Sequence, residues 1–264
     1  MRRFVHSFWT EPCRNNKEKL KKYFTYFATS MAYIKQHGLP IVIHTDSYGK
    51  ELFSKLPYDA IYTTLDNIPK DINSKFFAYG KFLANEQEDL GCVHIDGDVF
   101  IENKELANKI LNFEGDLITQ NIEEGRTIQR FYRKWDFDDC KDIVNKYLPM
   151  SDIDKAYNCG IVGFNNQQLK NDYINGYINL VNELKGYNFE SPFAIPDLIC
   201  EQMFLYYLSP LSKPLFNDNI NKEMKENGYL HVIGPNKMSD NIVAHVENKL
   251  NKINKKIYNI CQEI

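Results

Sequence analysis

The sequence predicts an α/β fold with a parallel sheet in one compact domain, and three observations carry that prediction. Short apolar runs alternate with amphipathic helical stretches through the first hundred residues. The 264 residues are 43% hydrophobic, ample for a sizeable core. No internal repeat and no linker rich in Gly, Pro or Ser divides the chain.

The elements follow in order. Arg3 to Trp9 reads as a strand, Lys17 to Gln36 as a helix and Pro40 to His44 as a second strand, after which Asp46 and Ser47 are placed to cap a short helix. A strand near Ala60 to Thr63, a helix from Lys75 to Glu86 and a strand Cys92 to Ile95 complete the βαβ series. Strands over Gly115 to Gln120 and Tyr157 to Phe164 flank a polar and aromatic region that runs through Trp135. Leu169, Tyr173, Ile174, Tyr177, Val181 and Leu184 recur at helical spacing, and Pro196 with Asp197 opens a further helix reaching Leu208. A last strand is Tyr229 to Ile233. Residues 241–264 form a C-terminal amphipathic helix with an apolar stripe of Val246, Leu250, Ile253, Ile257 and Ile260 among lysines. Docking on the domain of residues 1–240 is its first expected role; pairing in a homodimer or peripheral membrane contact are the others.

Composition narrows the function. A net charge of -3 gives no basic excess for a nucleic-acid surface, so a small molecule or a glycan is the expected partner. Cys13, Cys92, Cys140, Cys159, Cys200 and Cys261 are scattered without a CxxC pair, which fits reduced thiols and a cytoplasmic location, peripheral to the membrane at most. No run approaches the ~18 to 20 apolar residues of a membrane span.

Chemistry enters at "HIDGDVF", residues 94–100. Ligands of parallel sheets lie at the carboxyl ends of strands, where Asp96 and Asp98 stand. In an extended segment both project to the same side and repel each other unless a divalent cation bridges them, while Gly97 leaves room for a ligand to approach the backbone. A turn with two solvated aspartates is the plain alternative. An EF-hand fits poorly because Phe100, Ile101 and Ala107 fall where it needs a ligand, a glycine and a glutamate. A phosphatase of the haloacid dehalogenase type also uses a strand-end DxD, but Phe100 stands where it has Thr or Val. Near the other end, "LHVIGPNKM" contains His231, Gly234 and Lys237: an imidazole for a metal, a glycine that admits a diphosphate and a cation that neutralises it.

Together the two motifs resemble the nucleotide-sugar glycosyltransferases of the GT-A fold, in particular family 8, the group of glycogenin and lipopolysaccharide galactosyltransferases. Between them lie "YNCGIVGFN", with Asn158 and Gly160, and "CEQMF", with Glu201 and Gln202, in the order of that family. The chain departs from the family's pattern after Lys237, where Met238 and Ser239 replace Pro-Trp. The resemblance implies a Rossmann-like GT-A domain with a mixed, mainly parallel sheet flanked by helices. It implies a hexosyltransferase-like enzyme that moves sugar from a UDP-sugar to a glycan or lipid-linked acceptor with retention of configuration. Asp96, Asp98 and His231 would then hold manganese or magnesium, with Asp96 also on the ribose. Lys237 and the Gly234 backbone would hold the diphosphate, Asn158 and Gly160 would face the donor sugar, and Gln202 beside Glu201 would lie beneath the anomeric carbon. Lys81, or else Lys75, matches the basic residue on the helix before the DxD, and Trp9 would stack near the base. An inverting enzyme would need Asp197 or Glu201 as base. The alternatives are a catalytically silent nucleotide-sugar or glycan binder and a DxD phosphatase. The stretch "RTIQRFYRKW", residues 126–135, carries cations and aromatics suited to an acceptor segment.

Overall fold

Phe4–Phe8 (β1), Ile41–Thr45 (β2) and Ala60–Tyr62 (β3) open the computed structural model, which describes residues 1–132, 134–189, 195–217 and 220–264. The later strands are Val93–Ile95 (β4), Val99–Ile101 (β5), Leu117–Glu124 (β6), Lys155–Phe164 (β7) and Tyr229–His231 (β8). Six of them form one sheet in the order β3-β2-β1-β4-β7-β6. β1 to β4 run parallel, and β7 is antiparallel to both of its neighbours. The mixed, mainly parallel sheet of a single α/β domain is therefore present.

Lys17–Gln36 (α1) starts where the Asn16 side chain accepts the Lys19 amide at 2.9 Å, and Gly38 follows its end with a φ of 77°. Its Phe24, Phe27 and Met31 pack on Phe4, Phe8, Ile43 and Ile95 of one sheet face, joined by Phe53 of Ser47–Phe53 (α2). The other face is covered by Tyr79–Gln87 (α3), and Lys104–Leu111 (α4), Arg126–Phe131 (α5) and Lys141–Tyr147 (α6) connect towards Gln167–Leu184 (α7). α7 buries Tyr173, Ile174, Tyr177, Val181 and Leu184 against this second core. Phe204–Leu208 (α8), Ile220–Glu226 (α9), Asp240–Ile253 (α10) and Lys255–Gln262 (α11) complete the helices.

Several elements differ from the sequence reading. The helix expected from Lys75 begins at Tyr79. The helix expected from Pro196 starts there and reaches Leu208, with a π-helical segment, Leu198–Met203, inside it before α8. Tyr229 to Ile233 ends as a strand at His231 and pairs outside the main sheet, with β5, which the sequence reading did not contain. The C-terminal stripe forms two helices, because Asn254 leaves helical geometry and caps α11 through the Ile257 amide. Val246, Leu250, Ile257 and Cys261 are buried where these helices pack on α1. Among the described residues no helix is long and apolar enough to cross a membrane. In the aromatic stretch, Arg133 lies outside the described residues.

Candidate functional site

Asp96 and Asp98 meet in the turn that carries the chain from β4 into β5. The Asp96 carbonyl accepts the Val99 amide at 3.0 Å, and the Asp96 amide donates to the Gly160 carbonyl at 2.9 Å. A tight turn thus converges the two carboxylates, in place of the extended segment expected from the sequence. Gly97 is also corrected: a Cβ there would lie 2.4 Å from the Phe27 ring, so its missing side chain admits α1 and not a ligand.

The antiparallel pairing of β5 with β8 sets His231 opposite Val99, and the Val232 amide donates to the Asp98 carbonyl at 3.0 Å. This register is what brings two distant stretches of sequence together. His231 Nε2 lies 3.4 Å from Asp98 Oδ1, and Lys237 Nζ lies 2.8 Å from Asp98 Oδ2. Burial pushes the Asp98 carboxyl up, but Lys237 and His231 outweigh it and hold the group well below the usual carboxylate range. Asp96, Asp98 and His231 each offer a ligand atom within 4.8 Å of the others, a span that bonds of ~2 Å to a single ion can bridge. Two carboxylates and an imidazole suit a hard or borderline divalent cation. The imidazole is oriented for it: Gln120 Oε1 accepts from His231 Nδ1 at 2.7 Å and from the Tyr229 hydroxyl at 2.6 Å. With Nδ1 turned to Gln120, Nε2 is the ring nitrogen that faces Asp98 and the atom the imidazole would offer a metal.

Gly160 sits beneath this ring. A Cβ there would fall 2.5 Å from His231 Cε1 and 2.7 Å from Gln120 Oε1, so the glycine makes room for the imidazole. Gly234 has a φ of 87° with nothing within 4 Å of a built Cβ, which makes its backbone, not its surroundings, the reason for glycine. Lys237 Nζ also lies 5.8 Å from the centre of the Tyr23 ring, and the Lys237 carbonyl accepts from the Tyr26 hydroxyl.

Of the two candidate lysines, Lys81 reaches the site. Its Nζ donates to the Cys159 carbonyl at 2.9 Å and pairs with Glu201 Oε1 at 2.7 Å and Asp96 Oδ1 at 2.9 Å. Burial works against its charge, yet Asp96 and Glu201 prevail and raise its pKa. Lys75 instead donates to the Phe189 carbonyl. Glu201 is 3% exposed and Asp197 1%, and Asp197 accepts the Ala78 amide at 2.8 Å and the Tyr177 hydroxyl at 2.7 Å. Both carboxyls are spent on internal partners and neither is open to an acceptor hydroxyl.

Asn158 and Gln202 belong to a neighbouring cluster that the sequence reading only half contained. Asn158 Nδ2 donates to Glu123 Oε1 at 2.7 Å, and its Oδ1 accepts the Gly160 amide at 3.0 Å. The Tyr132 hydroxyl lies 2.8 Å from Glu123 Oε2 and 2.6 Å from Gln202 Oε1. Gln202 reaches this point from the π-helical segment, a local unwinding that often serves functional side chains. Tyr132 belongs to the aromatic stretch 126–135 singled out in the sequence, whereas Gln120 and Glu123 carry no motif and lie only at and just past the end of a predicted strand. Trp9 follows β1 and is partly buried against the core cluster that contains Leu65 and Tyr79.

The model of a family described as "Family of unknown function (DUF6734)" matches residues 1–263. No curated protein matches the chain in sequence. The fold is similar to the crystal structure of the glycosyltransferase GlyE in Streptococcus pneumoniae TIGR4, with a TM-score of 0.51 and 12% identity. The match covers 100% of this chain and 63% of that one, so the chain spans less than two thirds of its neighbour. At that identity the likeness is one of fold alone and assigns the chain to no glycosyltransferase family, family 8 included.

Proposed function

The chain belongs to the DUF6734 family, described as a family of unknown function, and on that premise we propose that it is a metal-dependent glycosyltransferase using a nucleotide-sugar donor. The observation that carries the reading is the convergence of Asp96, Asp98 and His231, with Lys237 beside them, at the sheet end of a glycosyltransferase fold. Asp96, Asp98 and His231 would hold manganese or magnesium, and such an ion, when bound, supplies Lewis-acid stabilisation of a diphosphate leaving group. Lys237 adds a fixed positive charge from the loop that Gly234 opens, so charge developing on the departing diphosphate meets a preorganised cation. Lys81 reaches in from α3 and pairs with Asp96 and Glu201, which sets a buried cation beside the site.

Asn158, Glu123, Tyr132 and Gln202 form the polar wall on which the donor sugar would be oriented. The burial of Asp197 and Glu201 supports transfer with retention, since neither is placed as the base that inversion requires. UDP is the donor nucleotide of this reading and a glycan or lipid-linked sugar its acceptor. The test is a screen of nucleotide sugars for slow hydrolysis with manganese. Release of UDP from one sugar, lost in Asp98→Ala and His231→Ala, is the expected result. Tight metal-dependent binding with no turnover of any donor would instead make the protein a silent binder.

A further inference from the structure

We infer that the bulge in β6 fixes the tautomer of His231, with Gln120 and Asn121 as positioning residues that keep the ring proton on Nδ1. In a regular strand, adjacent side chains point to opposite faces and do not touch. The register of β6 against β7 shifts between Thr119 and Asn121, and there Gln120 Nε2 donates to Asn121 Oδ1 at 2.9 Å. Asn121 Nδ2 in turn donates to the Ile122 carbonyl at 3.1 Å.

A peptide carbonyl can only accept, and that one constraint sets the direction of the whole series. Because Ile122 accepts, the Asn121 amide nitrogen faces it and Asn121 Oδ1 faces Gln120. Gln120 must then present its own nitrogen to Asn121, which leaves Oε1 for Tyr229 and His231. Turning Gln120 over would set two carbonyl oxygens against each other, and turning Asn121 as well would move the conflict to Ile122. Gln120 is 1% exposed and Asn121 6%, so water is poorly placed to relieve either clash. The bulged backbone is itself held, since the Thr119 and Gln120 carbonyls accept the Leu215 and Phe216 amides at 2.8 and 2.9 Å. Two amides therefore transmit the polarity of a backbone carbonyl to the ring that faces Asp98.

This inference rests on the metal reading for its purpose but not for its test. Long-range proton–nitrogen NMR of the metal-free protein at mildly alkaline pH, with His231 assigned by its loss in His231→Ala, reports which ring nitrogen carries the proton. The expected result is Nδ1 in the unsubstituted protein. In Gln120→Leu that preference is lost and manganese binds about 10–100-fold more weakly. A proton on Nε2 in the unsubstituted protein, or a Gln120→Leu variant with unchanged tautomer and manganese affinity, overturns the relay. If Gln120→Leu does not fold, the spectrum of the unsubstituted protein decides alone. If the unsubstituted protein binds no manganese, the metal reading falls and the same spectrum still decides the relay.

Discussion

At Gly160 the absence of a side chain is a requirement of the site. Its neighbours there are His231 and Gln120, so Gly160→Ala pushes the imidazole out of line with Asp98. We expect a stability loss of about 1–3 kcal/mol from overpacking, together with loss of manganese binding. Gly97→Ala meets the Phe27 ring and should cost a similar amount of stability while metal affinity per folded molecule changes less. Denaturant unfolding paired with a manganese titration separates the two; equal losses of metal affinity would refute the assignment of Gly97 to packing. Asp96, Asp98, His231 and Lys237 were legible in the sequence because carboxylates, an imidazole and a lysine at strand ends carry their chemistry with them. Gln120 and Glu123 were not, and Tyr132 was only one aromatic of the stretch 126–135, since each is an ordinary residue type whose role exists only once β6, α5 and β8 have met.

Elements show the same division. The other strands and the long helices follow from apolar runs and periodicity, whereas β5 starts just past Asp98, too close behind β4 to show a boundary of its own. The π-helical turn at Leu198–Met203 keeps helical spacing in its sequence and reveals itself only through its hydrogen bonds. Between elements, Glu88 at the end of α3 ties two parallel strands together. It accepts from Arg3 of the β1 approach at 2.6 and 2.8 Å, and Glu88 Oε1 lies 2.8 Å from His44 Nε2 on β2. Burial pushes the Glu88 carboxyl up, but bonds to His44 and Arg3 prevail and lower it from 4.5 to about 2. Because the folded value is depressed, its contribution is fully present above the ordinary value and is lost as pH falls through the folded one. Glu88→Gln should therefore cost about 1.5–3 kcal/mol at neutral pH, the range for a hydrogen bond to a charged group. In urea melts the gap should narrow between pH 4.5 and 2; a gap that stays constant across that window would contradict the assignment.

For the whole molecule, alternation of strand and helix was enough to foresee a parallel α/β sheet, because each crossover needs a helix between parallel strands, and the resemblance implied that the sheet is mixed. The antiparallel insertion of β7 between β4 and β6, and the separate pairing of β5 with β8, were not foreseeable, since sheet order is a tertiary choice that local pattern does not encode. Yet that second pairing is what joins the two motifs into one site. The C-terminal helices complete the core beside α1 through Val246, Leu250 and Ile257. The central claim, a metal-dependent nucleotide-sugar site, is tested most directly by calorimetric titration of UDP into the protein with manganese and then with chelator. We predict binding that requires manganese and disappears in Asp98→Ala and in His231→Ala. UDP that binds equally well with chelator, or in both variants, would contradict the account.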